Sequence, residues 1–305
     1  MSTTRNTVIY ANGLFGTNDP PTNARQTAEL KRAQFGTALL WTLHVHGNGD
    51  FYYNDAPMVQ QGTFNSALAY MAPLVKALPD GGGVHQVYFG IGSGGAADFA
   101  AIKELLASEA GSKGLVSNFQ ALLRTIPVVG FDFDLEEFPL EDYTSTIVQL
   151  TLLLQRQFGS GITYCPYTEP NFWRDCLARV YASAGRQLVR WYNLQCYDGG
   201  QYNSPAEWAE GLASSPAPLG IASPAAFIVP GYWARHKTDG GSYSGDCPDA
   251  VRSTFQKLSR SLPGIDGGFM WNSGDIFANE QSGACGTAPM TIAAYSTAIV
   301  SGLGG

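Results

Sequence analysis

The chain has 305 residues, a formal net charge of -7 and a sequence pI near 5.0, with no basic run. So acidic a surface is a poor partner for nucleic acid or an anionic membrane and suits a neutral substrate better. Hydrophobic residues make up 45% and charged residues only 14%, enough for a sizeable core and too apolar for a disordered chain.

Along the chain, short apolar, β-branched or aromatic runs alternate with longer amphipathic ones. The pattern predicts strands at 7–12, 38–46, 86–92, 128–135, 162–167, 189–197, 226–232 and 268–272. Helices are predicted at 27–34, 66–77, 98–107, 116–124, 143–158, 171–184, 205–213, 248–261 and 290–301. The stretch 47–62, rich in Asn, Asp and Tyr, is expected to be a hairpin excursion after the second strand.

Strand–helix alternation of this kind belongs to a parallel α/β sheet. Eight strand–helix units fit a (β/α)₈ barrel, which needs about 250 residues. An open doubly wound sheet can be drawn through the same segments, but count and length favour the barrel. No linker, low-complexity tract or short repeat divides the chain, so residues 1–305 are read as one catalytic barrel domain.

Five cysteines occur, and none has CxxC or Cys/His ligand spacing. Cys165, Cys176 and Cys196 fall on predicted strands or a helix and read as buried packing residues. Cys247 and Cys285 lie in Gly- and Ser-rich segments, where a disulfide is open to them but not dictated by sequence. The polar N-terminus shows no signal-peptide core, and no apolar run approaches a membrane span.

Strand four carries the chemistry. It reads Val128-Val129-Gly130-Phe131-Asp132-Phe133-Asp134-Leu135-Glu136-Glu137. Strand side chains alternate between faces. Asp132, Asp134 and Glu136 therefore share one face, and Phe131, Phe133 and Leu135 share the other. The apolar face belongs under the helices, which turns the acids into the barrel. Three carboxyl groups so placed cannot all ionise without cost, so at least one pKa is expected to rise. Coupled carboxyl groups with separated pKa values are what acid catalysis uses. Glu136, nearest the mouth, is the expected acid, Asp134 its partner, and Asp132 lies deeper. Glu137 points the other way and reads as peripheral.

This segment resembles the strand-four signature of glycoside hydrolase family 18, the chitinases and endo-β-N-acetylglucosaminidases. That pattern is Asp-x-x-Asp-x-Asp-x-Glu. Asp132, Asp134 and Glu136 match it, and Val129 stands in place of the first Asp. Gly90-Ile91-Gly92-Ser93 partly matches the end of the family's third strand. Gln195-Cys196-Tyr197-Asp198 blends the two forms of its sixth, Met-x-Tyr-Asp and Gln-x-Tyr-Asn, and Gly267-Gly268-Phe269-Met270-Trp271 matches its eighth.

The resemblance implies a retaining, substrate-assisted hydrolysis of β-1,4-linked N-acetylglucosamine polymers, outside the two-carboxylate scheme. In it Glu136 is general acid and base, Asp134 holds the acetamido N–H and Tyr197 the acetamido carbonyl, while Trp271 floors the site. Gln195, Asp198, Tyr232 and Trp233 are further candidates for sugar contact. The scheme calls for no metal or cofactor, and the expected partner is an N-acetylglucosamine oligo- or polysaccharide. It further implies a secreted monomer, although this chain shows no leader, so the expectation is either a leader removed or a cytoplasmic protein.

Rival readings are weaker. Gly90-x-Gly92-x-x-Gly95 fits a dinucleotide fingerprint, but outside a first βαβ unit and without the expected acid at a strand end. His44-x-His46 offers two imidazoles, and only His85 and His236 remain to complete a ligand set. No Gly-x-Ser-x-Gly elbow is present. A lectin or inhibitor that has lost activity, and an enzyme cutting N-glycans, are the two alternatives to a chitinase. Retention of Asp134, Glu136 and Tyr197 favours an enzyme.

Overall fold

The computed structural model describes residues 5–305; the polar start at residues 1–4 lies outside them. Among the described residues thirteen strands occur in chain order. They are β1 (Asn6–Asn12), β2 (Thr37–Val45), β3 (Phe51–Tyr53), β4 (Ala56–Gln60), β5 (Thr63–Phe64), β6 (Gln86–Ile91) and β7 (Gly130–Phe133). There follow β8 (Gly161–Tyr164), β9 (Val189–Gln195), β10 (Ile228–Trp233), β11 (His236–Lys237), β12 (Tyr243–Ser244) and β13 (Gly267–Trp271).

Eight of these pair in parallel in the order β1-β13-β10-β9-β8-β7-β6-β2, and β2 returns to β1 to close the ring. The fold is therefore a (β/α)₈ barrel, and the open-sheet alternative is excluded by the β1–β2 pairing. As expected, the stretch after the second strand is a hairpin: β3 runs antiparallel to β2, β4 to β3 and β5 to β4.

Local chemistry sets the element ends. The helix expected at 116–124 starts earlier, as Glu109–Thr125, because the Ser108 hydroxyl accepts the Gly111 N–H at 3.0 Å. Helix Thr144–Phe158 ends at Gly159, whose φ of +67° is the left-handed turn that glycine adopts at least cost. The first helix begins at Pro20 rather than at 27, with proline at its N-terminal position. The seventh barrel strand starts at Ile228, since Ser223 caps a short helical turn, Pro224–Phe227, where strand was expected. A helix at Ser273–Asn279, capped by Asn272, was not expected at all.

Two apolar layers result. Phe131, Phe133 and Leu135 lie in the larger one, between barrel and helices, with Ile9, Ala11, Leu40 and Phe89. Residues of opposite parity fill the lumen: Val8, Tyr10, Leu39, Tyr88, Cys165, Trp191, Val229 and Phe269. Glycines make room for these large side chains. A Cβ on Gly231 would sit 1.9 Å from the Phe269 ring, and one on Gly130 would sit 2.3 Å from Tyr88. The lumen is a packed plug, as side-chain layers make it in such barrels, and the acids stand on top of it.

Cys247 and Cys285 form a disulfide, with Cα atoms 5.8 Å apart, while Cys165, Cys176 and Cys196 are free and buried. Among the described residues, no helix is long and apolar enough to cross a membrane.

Candidate active site

The acids form a column rising from the lumen. Asp132 is fully buried at its foot and accepts three hydrogen bonds: from the Tyr10 hydroxyl at 2.7 Å, Thr163 Oγ1 at 2.5 Å and Asn193 Nδ2 at 2.9 Å. Thr163 comes from the residue beside Asp132 in the β7–β8 register, and Asn193 is itself held by Trp191 Nε1 at 2.9 Å. Burial still pushes Asp132 above the usual carboxyl range, and the Thr163, Tyr10 and Asn193 donors pull against it.

Asp134, buried one step higher, is pushed well up by burial, then by the Glu136 charge and then by Asp132. Burial leads this rise, and the stacked carboxyl groups that the sequence placed on one face add to it. Gln195 Nε2 donates to both upper acids, at 3.0 Å to Asp134 Oδ1 and 2.9 Å to Glu136 Oε1. Trp41 Nε1 reaches Asp134 Oδ2 at a long 3.4 Å. Asp132 lies beneath the cleft rather than on it and is not among the residues that line it.

Glu136 opens onto a cleft of about 210 Å³ at the carboxyl ends of the strands, lined by Trp41, Asp134, Gln195, Tyr197, Trp233 and Trp271, with Gly94, Tyr167 and Asp198 at its edge. The cleft is aromatic on three sides. The Tyr197 and Trp271 rings lie 6.1 Å apart at 21°, and Trp41 meets Trp271 edge-on at 4.5 Å. Trp233 is fixed by Asp275 Oδ2, which accepts its Nε1–H at 2.7 Å, and by the His236 ring stacked 4.0 Å away. Burial, then the nearby Cys165 and Asp134 charges, hold the Tyr197 hydroxyl protonated far above its ordinary range, so it stays a donor.

Of the sequence candidates, Glu136, Asp134, Tyr197, Trp271, Gln195, Asp198 and Trp233 meet here. Tyr232 does not. It alternates with Trp233, so only one of the two can face inwards, and its ring packs on Phe255 at 5.7 Å beneath the helices.

Val129 also differs from its expected place. It precedes the strand, faces away from the acids and is 46% exposed at the opposite end of the barrel, so it removes nothing from the column. Glu137 is outside the cleft but not idle, since its carboxylate accepts the Phe99 and Ala100 N–H groups. His44 pairs with Asp98 at 2.9 Å and His46 stacks on Tyr52 at 4.0 Å.

Sequence reasoning missed Tyr10, Trp41 and Tyr167. Tyr10 and Trp41 share lumen parity with Val8 and Leu39, a period-two signal that was readable once the strands were placed.

No protein-family model and no curated protein matches the sequence. Solved structures do match in fold. A fungal endo-β-N-acetylglucosaminidase of glycosyl hydrolase family 18 superposes with a TM-score of 0.63 at 18% identity, over 96% of this chain and 97% of its own. The catalytic domain of a family 18 chitinase from the fern Peteris ryukyuensis gives 0.57 at 15% identity, over 97% and 99%. A chitinase-like agglutinin from Robinia pseudoacacia gives 0.60 at 11%, over 96% and 99%. At such identities the likeness establishes the barrel, which enzymes and a lectin share.

Proposed function

We propose that the chain hydrolyses β-1,4-linked N-acetylglucosamine polymers, chitin or its oligosaccharides, with retention and with the substrate's own acetamido group as nucleophile. The observation that carries this reading is the Gln195 amide joined to both Asp134 and Glu136 at the floor of an aromatic cleft. One amide that donates to both carboxyl groups holds them in a fixed mutual geometry. An aromatic floor suits the apolar face of a pyranose ring.

The steps then follow. Glu136 gives its proton to the glycosidic oxygen and the C1–O bond breaks. The acetamido carbonyl oxygen bonds to C1, forming an oxazolinium ion, while Asp134 accepts the acetamido N–H. Tyr197 donates to the acetamido carbonyl oxygen and aligns it. Glu136, now ionised, takes a proton from water, whose oxygen bonds to C1 from the leaving-group side as the oxazolinium opens. Trp271 and Trp41 wall the ring that distorts, and Trp233 and Asp198 contact neighbouring sugars.

Two other readings rest on the same barrel. An enzyme cutting N-glycans would share every step and differ in the loops around the cleft. A sugar-binding protein without turnover would not need the acid column, which this chain keeps.

The test is product release from chitin oligosaccharides by the native protein and by Glu136→Gln. The variant is expected to lose a factor of order 10² or more in rate while still binding. Turnover that survives the substitution refutes Glu136 as the acid. Binding without turnover in both proteins makes this a lectin, and silence on chitin with release from N-glycans moves the substrate.

A further inference from the structure

Outside the cleft, one cluster of ionisable groups sits against the chain that carries Glu136. Helix Asp98–Leu106 has Ala97 at its N-cap, which offers no side-chain acceptor for the free N–H groups of the first turn. Glu137, four residues past the end of β7, accepts two of them: its Oε1 takes the Phe99 N–H at 2.7 Å and its Oε2 the Ala100 N–H at 2.9 Å. The same turn is tied to β2, since Asp98 Oδ1 accepts the Val45 N–H at 2.7 Å and Oδ2 meets His44 Nδ1 at 2.9 Å.

The segment leading into this helix also touches the acid column. A Cβ on Gly92 would sit 2.3 Å from the Asp134 carbonyl, and one on Gly94 would sit 3.0 Å from Glu136 Oε2.

We propose that Glu137 is the positioning residue of the acid: its two-point seat on the helix fixes the backbone from which the Glu136 side chain projects, while Gln195 fixes the tip. This rests on the reading of Glu136 as the general acid. β7 ends at Phe133 and its last bond to β6 is from the Asp134 N–H to the Ile91 carbonyl at 2.9 Å, so Glu136 projects from chain beyond the ladder, where another anchor is needed. A carboxylate with one oxygen on each of two N–H groups sets both the position and the rotation of its own backbone. A misplacement of about 1 Å at a proton donor costs up to about 10²-fold in rate.

Two variants separate positioning from mere helix capping. Glu137→Gln keeps the shape but sets an NH₂ group against one backbone N–H. It is expected to lower kcat by about tenfold or more with KM unchanged. Adding Ala97→Ser gives the helix a cap in its own chain and is expected to restore the thermal midpoint. In that double variant kcat stays low if Glu137 positions Glu136. Recovery of kcat together with stability overturns the proposal, and so does a Glu137→Gln variant with native kcat.

Native turnover with an unchanged kcat in Glu137→Gln overturns the positioning role alone, whereas a native protein with no turnover on N-acetylglucosamine oligosaccharides overturns the reading of Glu136 on which it rests.

Discussion

Replacing Gln195 by Met removes the one donor, among the described residues, that Asp134 and Glu136 share, and leaves a side chain of similar length. The two oxygens it joins are 3.0 and 2.9 Å from one nitrogen, so they stand no more than about 6 Å apart. At an effective dielectric of about 20, two negative charges at that separation repel by about 3 kcal/mol. An N–H donated to a charged acceptor offsets this by about 1.5–3 kcal/mol. The bond favours ionised Asp134, so its loss makes that deprotonation harder. At about 1.36 kcal/mol per pH unit, the limb of the kcat/KM profile set by Asp134 is expected to move to higher pH by about one to two units. The assay is initial rate on a chromogenic chitin oligosaccharide across the pH range, with the native protein run alongside. An unmoved profile refutes the role given to Gln195; so does a shift to lower pH.

Two further outcomes are expected. Asp132 and Asp134 have folded-state pKa values above the usual range, so their contribution to stability is complete below the unfolded-state pKa and is lost as pH rises through the folded one. Asp134→Asn should therefore match the native protein near pH 4 and exceed it at neutral pH, the gap opening by about 1.4 kcal/mol per pH unit until that titration ends. Urea denaturation at several pH values checks this, and a gap that does not depend on pH contradicts it. Second, the Cys247–Cys285 disulfide closes a loop of 38 residues, a constraint on the unfolded chain of about 4 kcal/mol. Cys247→Ser with Cys285→Ser should lower the thermal midpoint by several degrees, read by calorimetry, and an unchanged midpoint rejects that account.

Much of this site was legible because its information is local. Asp132, Asp134 and Glu136 alternate with Phe131, Phe133 and Leu135, and that alternation alone separates lumen from helix layer. The parity rule also shows why Tyr232 and Trp233 cannot both line the cleft. What local pattern could not give is company. That Tyr10, Thr163 and Asn193 converge on Asp132 depends on barrel closure, which brings the first strand within reach of the fourth. Glu137 reads as peripheral because its partners are backbone N–H groups nearly forty residues earlier, and backbone leaves no mark in sequence. The Ser273–Asn279 helix went unseen because seven residues are too few to show a helical period.

The filled lumen has a consequence for how protons travel. The lumen around Asp132 is filled by Tyr88, Val8, Leu39, Val229 and Phe269, all essentially closed to solvent, and among the described residues this packed set holds no further acid. Its three donors occupy it from the sides. The column is thus open at one end only. On the proposed mechanism, every proton that Glu136 and Asp134 exchange with water passes through the same mouth that admits the sugar.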